Sequence, residues 1–257
     1  MSTKSLPDVI YGRKFGMALT LDIVKPQSPS GVGVIALSSG GWKSFPEMGK
    51  PGTEEFTRRG QTVFVVCHGS RPRFAIPEIV ADIRRAIRFA RFHAGEHGVD
   101  PDRLGLYGIS SGGNISLLTA AQGGDGNPAA EDPVDRQSDR VGAVACFYPP
   151  TDLANFGEPG KVWVPYRLAD ETASDAELAK TYSPVTYFTP AMPPTLLIHG
   201  DADVQVPIQQ SKTAIERLTA LGVKNRFETR LGKAHGWPGI AQDNELCAEW
   251  FDTHLRP

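Results

Sequence analysis

The sequence predicts an α/β fold, a mostly parallel, doubly wound sheet that carries an N-terminal antiparallel hairpin. Short apolar runs of strand length alternate with longer helical runs along most of the chain, the pattern of βαβ units. One apolar run, Arg103-Leu-Gly-Leu-Tyr-Gly-Ile-Ser110-Ser-Gly-Gly-Asn-Ile-Ser-Leu-Leu-Thr119, passes from strand to helix through a glycine-rich turn with a serine at its apex. A length of 257 residues suits one domain with a sizeable core, so residues 1–257 read as a single unit.

The elements follow in order. Residues 9–11 and 17–23 form the expected edge hairpin, and the linker 25–31, with two prolines, leads into an inner strand at 32–37. A helix is expected over 47–59, ending at Gly60, and a strand over 63–67. The longest helix, 76–97, places Ile79, Val80, Ile83, Ala86, Ile87 and Ala90 on one face. Its arginines, Arg84, Arg85, Arg88 and Arg91, read as a solvated face; a nucleic-acid stripe is the competing reading, disfavoured by a formal net charge of −2. A helix over 111–122 and a buried strand over 141–148 follow, then strands at 195–200 and 225–230 and helices at 207–221 and 244–254.

Two inserts interrupt this alternation. Residues 123–140 are rich in glycine and acid, with Asp125, Glu131, Asp132, Asp135 and Asp139. They join the end of one helix to the start of a strand, opposite the serine, and read as a solvated surface loop; the spacing of the acids fits no calcium loop. Residues 149–190 leave the serine edge of the sheet and return to the strand at 195, so they are placed as a lid-like insert. They hold Phe156, Trp163, Tyr166, Tyr182, Tyr187 and Phe188, which serve either a ring-shaped or apolar substrate group or the insert's own packing. Ser174-Asp-Ala-Glu177 has the form of a capping box opening a short helix.

The serine turn carries the chemistry. Gly108 and Gly112 around Ser110 permit a sharp strand-to-helix turn that holds the hydroxyl above the sheet beside a helix N-terminus, where developing negative charge is stabilised. A serine hydroxyl is a poor nucleophile until a base takes its proton and a third group orients that base. Candidates stand after later strands: Asp201 and Asp203 in the loop after 195–200, and His235 in the loop after 225–230. All would lie at the carboxyl edge of one parallel sheet, where open α/β sheets place their sites. His68 rivals His235, because the strand over 63–67 ends at the same edge. His93 and His97 lie on a helix, His199 ends a strand and reads as structural, and His254 lies in the tail. Read alone, Ser110 is a turn residue and either aspartate a cap.

Gly108-Ile-Ser110-Ser-Gly112 resembles the nucleophile elbow of α/β-hydrolases, whose order is serine, acid, histidine. His199-Gly-Asp-Ala-Asp203-Val-Gln-Val-Pro207 is similar to the acid loop of α/β-hydrolase esterases and prolyl-oligopeptidase-like peptidases, and Ala234-His235-Gly-Trp237 to their histidine loop. The resemblance runs from about residue 9 to the C-terminus and is strongest to acetyl-esterase-like and feruloyl-esterase-like enzymes of the carbohydrate-esterase branch. It implies an α/β-hydrolase fold and a triad of Ser110, Asp203 and His235, the motif register selecting Asp203 over Asp201. The loop Ser38-Ser-Gly-Gly-Trp42 resembles the HGGGW loop of such esterases except that serines replace its first two residues. Gly40 and Gly41 carry over as backbone donors to an oxyanion, with the Ser111 N–H as their partner, and Trp42, His68, Trp163 and Trp237 are the candidate pocket residues.

The function implied is cleavage of carboxylic esters of small acyl or aryl groups, sugar-linked esters included, through an acyl-enzyme on Ser110. A prolyl-oligopeptidase-like peptidase and a non-catalytic ligand-binding protein on the same fold are the alternatives. A small-molecule ester is the expected partner, with neither nucleic acid nor membrane, and a homodimer stays open. Neither a metal nor an organic cofactor is expected, since no Cys/His cluster has ligand spacing. Cys67, Cys146 and Cys247 are far apart and odd in number, against a disulfide framework. The opening thirty residues lack the apolar core of a signal peptide, so a cytoplasmic location is expected, a removed leader being the alternative.

Overall fold

The computed structural model describes residues 3–48 and 52–256. Within them, eight strands form one sheet: β1 (Lys4–Lys14), β2 (Met17–Lys25), β3 (Gly31–Leu37), β4 (Thr62–Val66), β5 (Val99–Ile109), β6 (Ala143–Phe147), β7 (Thr195–Gly200) and β8 (Asn225–Arg230). Their order in space is β1-β2-β4-β3-β5-β6-β7-β8. β1 pairs antiparallel with β2 and β2 antiparallel with β4; every later pairing is parallel. The α/β-hydrolase fold expected from the sequence, with its N-terminal hairpin, is the fold observed.

Helices cover both faces of this sheet. α1 (Glu54–Arg58) and α6 (Ile240–Leu255) lie on one side, and α2 (Ile76–Phe92), α3 (Ser111–Ala121), α4 (Asp175–Tyr182) and α5 (Gln209–Ala220) on the other. Strands covered on both faces cannot alternate apolar with polar residues, which is why β4, β6 and β7 read as continuous apolar runs and are buried at every position. The edge strand β8 instead carries Arg226, Glu228 and Arg230, paired with one another, charges that discourage a further strand from adding there. Among the described residues no helix is long and apolar enough to cross a membrane.

Several boundaries differ from the expectation. The helix expected over 47–59 is a 3₁₀ turn at Pro46–Met48 and the short α1, with residues 49–51 outside the described set. Gly52 takes a φ of 88°, which a right-handed helix does not allow. The 76–97 helix is α-helical only to Phe92 and tightens into a 3₁₀ turn at Ala94–His97, closed by left-handed Gly98. The last helix starts at Ile240, one turn before the expected Asn244, because Gly239 at a φ of 85° turns the chain into it.

The acidic insert and the arginine face of α2 are a larger correction, because each was expected to face water and they face each other. Asp139 is fully buried, accepting from Arg84 Nε at 3.0 Å and facing Arg88 Nη2 at 2.6 Å. It also accepts the Gly124 N–H at 2.8 Å. Arg85 spans Asp132 and Asp135 at 2.6 and 2.8 Å, and Arg91 Nε donates to the Ser138 carbonyl. An unpaired buried carboxylate or guanidinium is costly, so this lattice fixes the insert against the helix. Asp139→Ala is expected to lower the unfolding free energy by about 2–4 kcal/mol in urea titrations. Asp132→Ala, at a carboxylate 46% exposed, should cost less than about 1 kcal/mol. Equal losses at the two positions would contradict the clasp.

Candidate active site

The site starts from a steric constraint. A Cβ on Gly108 would sit 2.3 Å from the Gly112 carbonyl oxygen and 2.6 Å from Ser116 Oγ, so only glycine lets α3 begin this close to β5. Between them Ser110 is held at φ 54° and ψ −120°, a conformation side chains other than glycine rarely adopt. Its N–H donates to the Phe147 carbonyl at 2.9 Å, and its own carbonyl accepts from Asn114 N–H at 3.0 Å, so the strained residue is pinned on both sides.

Ser110 Oγ lies 2.9 Å from His235 Nε2, and His235 Nδ1 lies 2.7 Å from Asp203 Oδ2. An ionised carboxylate only accepts, so Nδ1 carries the hydrogen and the Nε2 lone pair faces the serine hydroxyl. The other carboxylate oxygen, Asp203 Oδ1, accepts the N–H groups of Gln205 and Val206, each at 2.9 Å. Burial alone would raise the Asp203 pKa, but hydrogen bonds from His199, His235 and Val206 outweigh it and hold the carboxyl well below the usual range. His199 Nε2 lies 2.8 Å from the Val206 carbonyl, an acceptor only, and 3.3 Å from Asp203 Oδ2 as a longer second contact. That Nε2 therefore carries the hydrogen, and Nδ1 accepts from Ser211 Oγ at 2.8 Å. Asp201, the other candidate acid, accepts the Gly232 N–H at 2.6 Å instead of facing His235.

The serines of the 38–42 loop act as anchors. Ser38 Oγ donates to the Phe45 carbonyl at 2.6 Å, and the Ser39 and Ser111 hydroxyls meet at 3.2 Å. Trp42 Nε1 donates to Asn114 Oδ1 at 3.2 Å, tying the loop to α3. The Gly40 N–H, expected as an oxyanion donor, is bonded to the Lys43 carbonyl at 3.0 Å and is not free for one. The N–H groups of Gly41 and of Ser111, the first residue of α3, have no hydrogen-bond partner among the described residues.

A cleft of about 440 Å³ opens over Ser110 and His235, with Gly40, Gly41, Trp42 and Trp163 in its wall. Two expected pocket residues lie elsewhere. Trp237 is buried against Phe147 and Tyr148, its Nε1 donating to Asp243 Oδ2 at 2.9 Å, because Gly236 at a φ of 78° turns the chain away from the cleft. His68 lines a separate cavity beside Cys67 and Phe74. Of the insert's aromatics, Trp163 reaches the cleft wall, stacked on Phe156 at 4.4 Å, while Tyr182 and Phe188 pack into the core.

Sequence reasoning missed three residues here. Tyr148, the residue after β6, takes a φ of 34° and lays its ring 4.4 Å from that of His235. Asn114, fully buried, holds Trp42 with its oxygen and donates through Nδ2 to the carbonyls of Pro150 and Tyr182. Its place four residues after Ser110, one helical turn on, is the signal that could have found it. Arg71 lines the cleft beside Gly41.

His68 has a measurable consequence. Its Nδ1 meets the Gly69 carbonyl at 2.7 Å, while Nε2 is buried without a partner, so a second proton would add an unpaired buried charge. Burial pushes its pKa down to about 4 from an ordinary 6.5. Its stabilising effect is complete above about pH 6.5 and is lost as pH falls toward 4, where the unfolded chain binds the proton first. Unfolding free energy should fall by about 3 kcal/mol across that window, at about 1.36 kcal/mol per unit, with His97 adding in the same direction. His68→Asn should flatten most of that slope in urea titrations at several pH values; an unchanged slope would contradict the assignment.

The family model BD-FAE matches residues 21–218. The probable carboxylic ester hydrolase LipM of Mycobacterium tuberculosis is 26% identical over 222 residues, covering 82% of this chain and 51% of LipM. The probable isoprenylcysteine alpha-carbonyl methylesterase ICMEL1 of Arabidopsis thaliana is 26% identical over 227 residues, 84% of this chain and 48% of its own length. The chain thus spans about half the length of these curated relatives. Among solved structures, an acetyl ester-xyloside bifunctional hydrolase from Caldicellulosiruptor lactoaceticus superposes with a TM-score of 0.81 at 24% identity, covering 96% of this chain and 95% of that one. A truncated carbohydrate esterase from gut microbiota gives 0.82 at 22% identity, covering 99% and 97%. These two likenesses are of fold. The family match spans the elbow, the insert and the acid loop, and by it this α/β-hydrolase chain belongs to the BD-FAE family.

Proposed function

We propose that this chain is a serine carboxylesterase that cleaves esters of small acyl or compact aryl groups, sugar-linked esters among them. The observation that carries the reading is the hydrogen-bonded line from Asp203 through His235 to Ser110, at the foot of a cleft that Gly41 lines, with the N–H groups of Gly41 and Ser111 both unengaged among the described residues. The family membership and the names of the curated relatives support it.

In this reading the Ser110 oxygen attacks the ester carbonyl as His235 Nε2 takes the hydroxyl proton. The new charge on the carbonyl oxygen meets the N–H groups of Gly41 and Ser111, and the N-terminus of α3 adds its dipole. His235 then gives its proton to the leaving alcohol. Water, deprotonated by the same imidazole, splits the acyl-enzyme into free acid and serine. Asp203 keeps the imidazole in the tautomer that both half-reactions need. No step calls on a metal or an organic cofactor.

The 149–190 insert serves as the lid in this reading, with Pro150, Trp163 and Pro165 forming its part of the cleft wall. A cleft of about 440 Å³ has room for a small or compact aryl ester. A peptidase acting on free N-termini needs a carboxylate to hold the substrate ammonium, and among the described residues the cleft wall holds none. The cytoplasm is the compartment that fits three unpaired thiols.

Asp203→Asn tests the reading most economically, because it keeps the shape and reverses the hydrogen bond that sets the His235 tautomer. With 4-nitrophenyl acetate the variant should lose about ten-thousand-fold in kcat with little change in KM. Aminoacyl anilides should be poor substrates for the unaltered protein. Activity in Asp203→Asn within about tenfold of the parent would remove the triad from the mechanism.

A further inference from the structure

One side chain in the cleft wall carries a charge that nothing there neutralises. Arg71 follows β4 in a loop whose N–H donates to the Trp42 carbonyl at 3.0 Å, so the residue is fixed to the oxyanion loop. Its Nη1 donates to the Pro165 carbonyl at 3.0 Å, and the guanidinium carbon lies 5.7 Å from the centre of the Tyr166 ring. These partners hold the group in place and leave its charge uncompensated. Its Nε is buried without a hydrogen-bond partner. Its Nη2 lies 3.7 Å from where a Cβ on Gly41 would stand, beside the donor assigned to the oxyanion. Among the described residues no carboxylate forms an ion pair with Arg71, and none lines the cleft.

A cation held open beside the reacting centre in a partly water-excluded wall is a site for an anion, and a guanidinium is shaped for a carboxylate. The geometry also says which part of an ester would reach it. The leaving oxygen must approach His235, whose ring sits against Tyr148 and whose partner Asp203 belongs to the Gln205–Val206 turn. Arg71 is tied instead to Trp42 and Pro165 beside Gly41, with the oxyanion loop and apart from the Gln205–Val206 turn in its contacts, so an acyl group that extends along that loop would reach it. Next to it the rings of Trp42 and Trp163, with centres 5.7 Å apart, offer an apolar surface to the carbons in between.

We infer that Arg71 is a specificity-determining residue that selects esters whose acyl part ends in a carboxylate, the half-esters of dicarboxylic acids. The inference rests on the esterase reading and narrows its substrate class. An Arg71 that served only to tie the insert to the oxyanion loop would weaken turnover of every ester alike, which separates the two roles.

The test compares 4-nitrophenyl half-esters of succinic, glutaric and adipic acid with the neutral 4-nitrophenyl butyrate and pentanoate, in the parent protein, Arg71→Gln and Arg71→Lys. The readout is the ratio of kcat/KM for the best half-ester to that for the neutral ester of nearest length. A charge-assisted contact predicts that Arg71→Gln lowers this ratio about tenfold or more, that Arg71→Lys restores part of it, and that added salt lowers it in the parent. A ratio unchanged in Arg71→Gln, with both rates reduced together, would overturn the inference and leave Arg71 a structural tie. If the parent hydrolyses neither kind of ester, the esterase reading itself has failed. Calorimetric titration with free glutarate then decides the anion site separately: binding that weakens in Arg71→Gln supports it, and no binding to the parent rejects it.

Discussion

The close approach of α3 to β5 is the constraint on which the rest of the site depends. With no side chain at Gly108, the first turn of the helix sits against the end of the strand, and Ser110 is driven into a positive φ between them. That strain of order 1–3 kcal/mol must be offset by surrounding contacts. They are visible: Ser110 is bonded through its N–H to Phe147 and through its carbonyl to Asn114. The same turn starts a helix whose first N–H, that of Ser111, has no partner among the described residues. One helical turn later, Asn114 fastens the oxyanion loop through Trp42 and the start of the insert through Pro150. A single packed helix thus sets the proposed nucleophile, one proposed oxyanion donor and the positions of two loops.

The acid end is built on a different principle. Asp203 is buried, which disfavours its charge, yet hydrogen bonds from His199 and His235 and from two backbone N–H groups of its own turn keep it ionised. His199 does not touch His235 or Ser110 and acts only on the acid. It closes the Val206 turn from below through the Val206 carbonyl and Ser211, so the carboxylate is aimed by a loop that is itself hydrogen-bonded into β7 and α5. Orientation and protonation state are set together by this arrangement.

What the sequence made legible follows from which interactions are local. Alternation of apolar strands and helices gave the sheet, and the serine, acid and histidine each follow a strand in order, so their common edge was readable. Residues whose role comes from tertiary packing were not. The arginines of α2 and the acids of the 123–140 insert each look solvated along the sequence, and only their meeting in space makes Asp139 a buried partner. Trp237 stands two residues from His235 yet turns into the core, because the glycine between them redirects the chain. Gly40 matched the expected motif, but its N–H is taken by Lys43 within the loop, a bond that spacing alone does not reveal. Tyr148, Asn114 and Arg71 carry no motif and become visible only where separate segments converge.

The most direct measurement of the central claim, an activated Ser110, is labelling with a fluorophosphonate probe followed by peptide mass spectrometry, on the parent protein and on folded His235→Ala. Expected is a single adduct on Ser110 in the parent and none in the variant over the same time. No adduct on the parent, an adduct on a different residue, or equal labelling of Ser110 without His235 would contradict it.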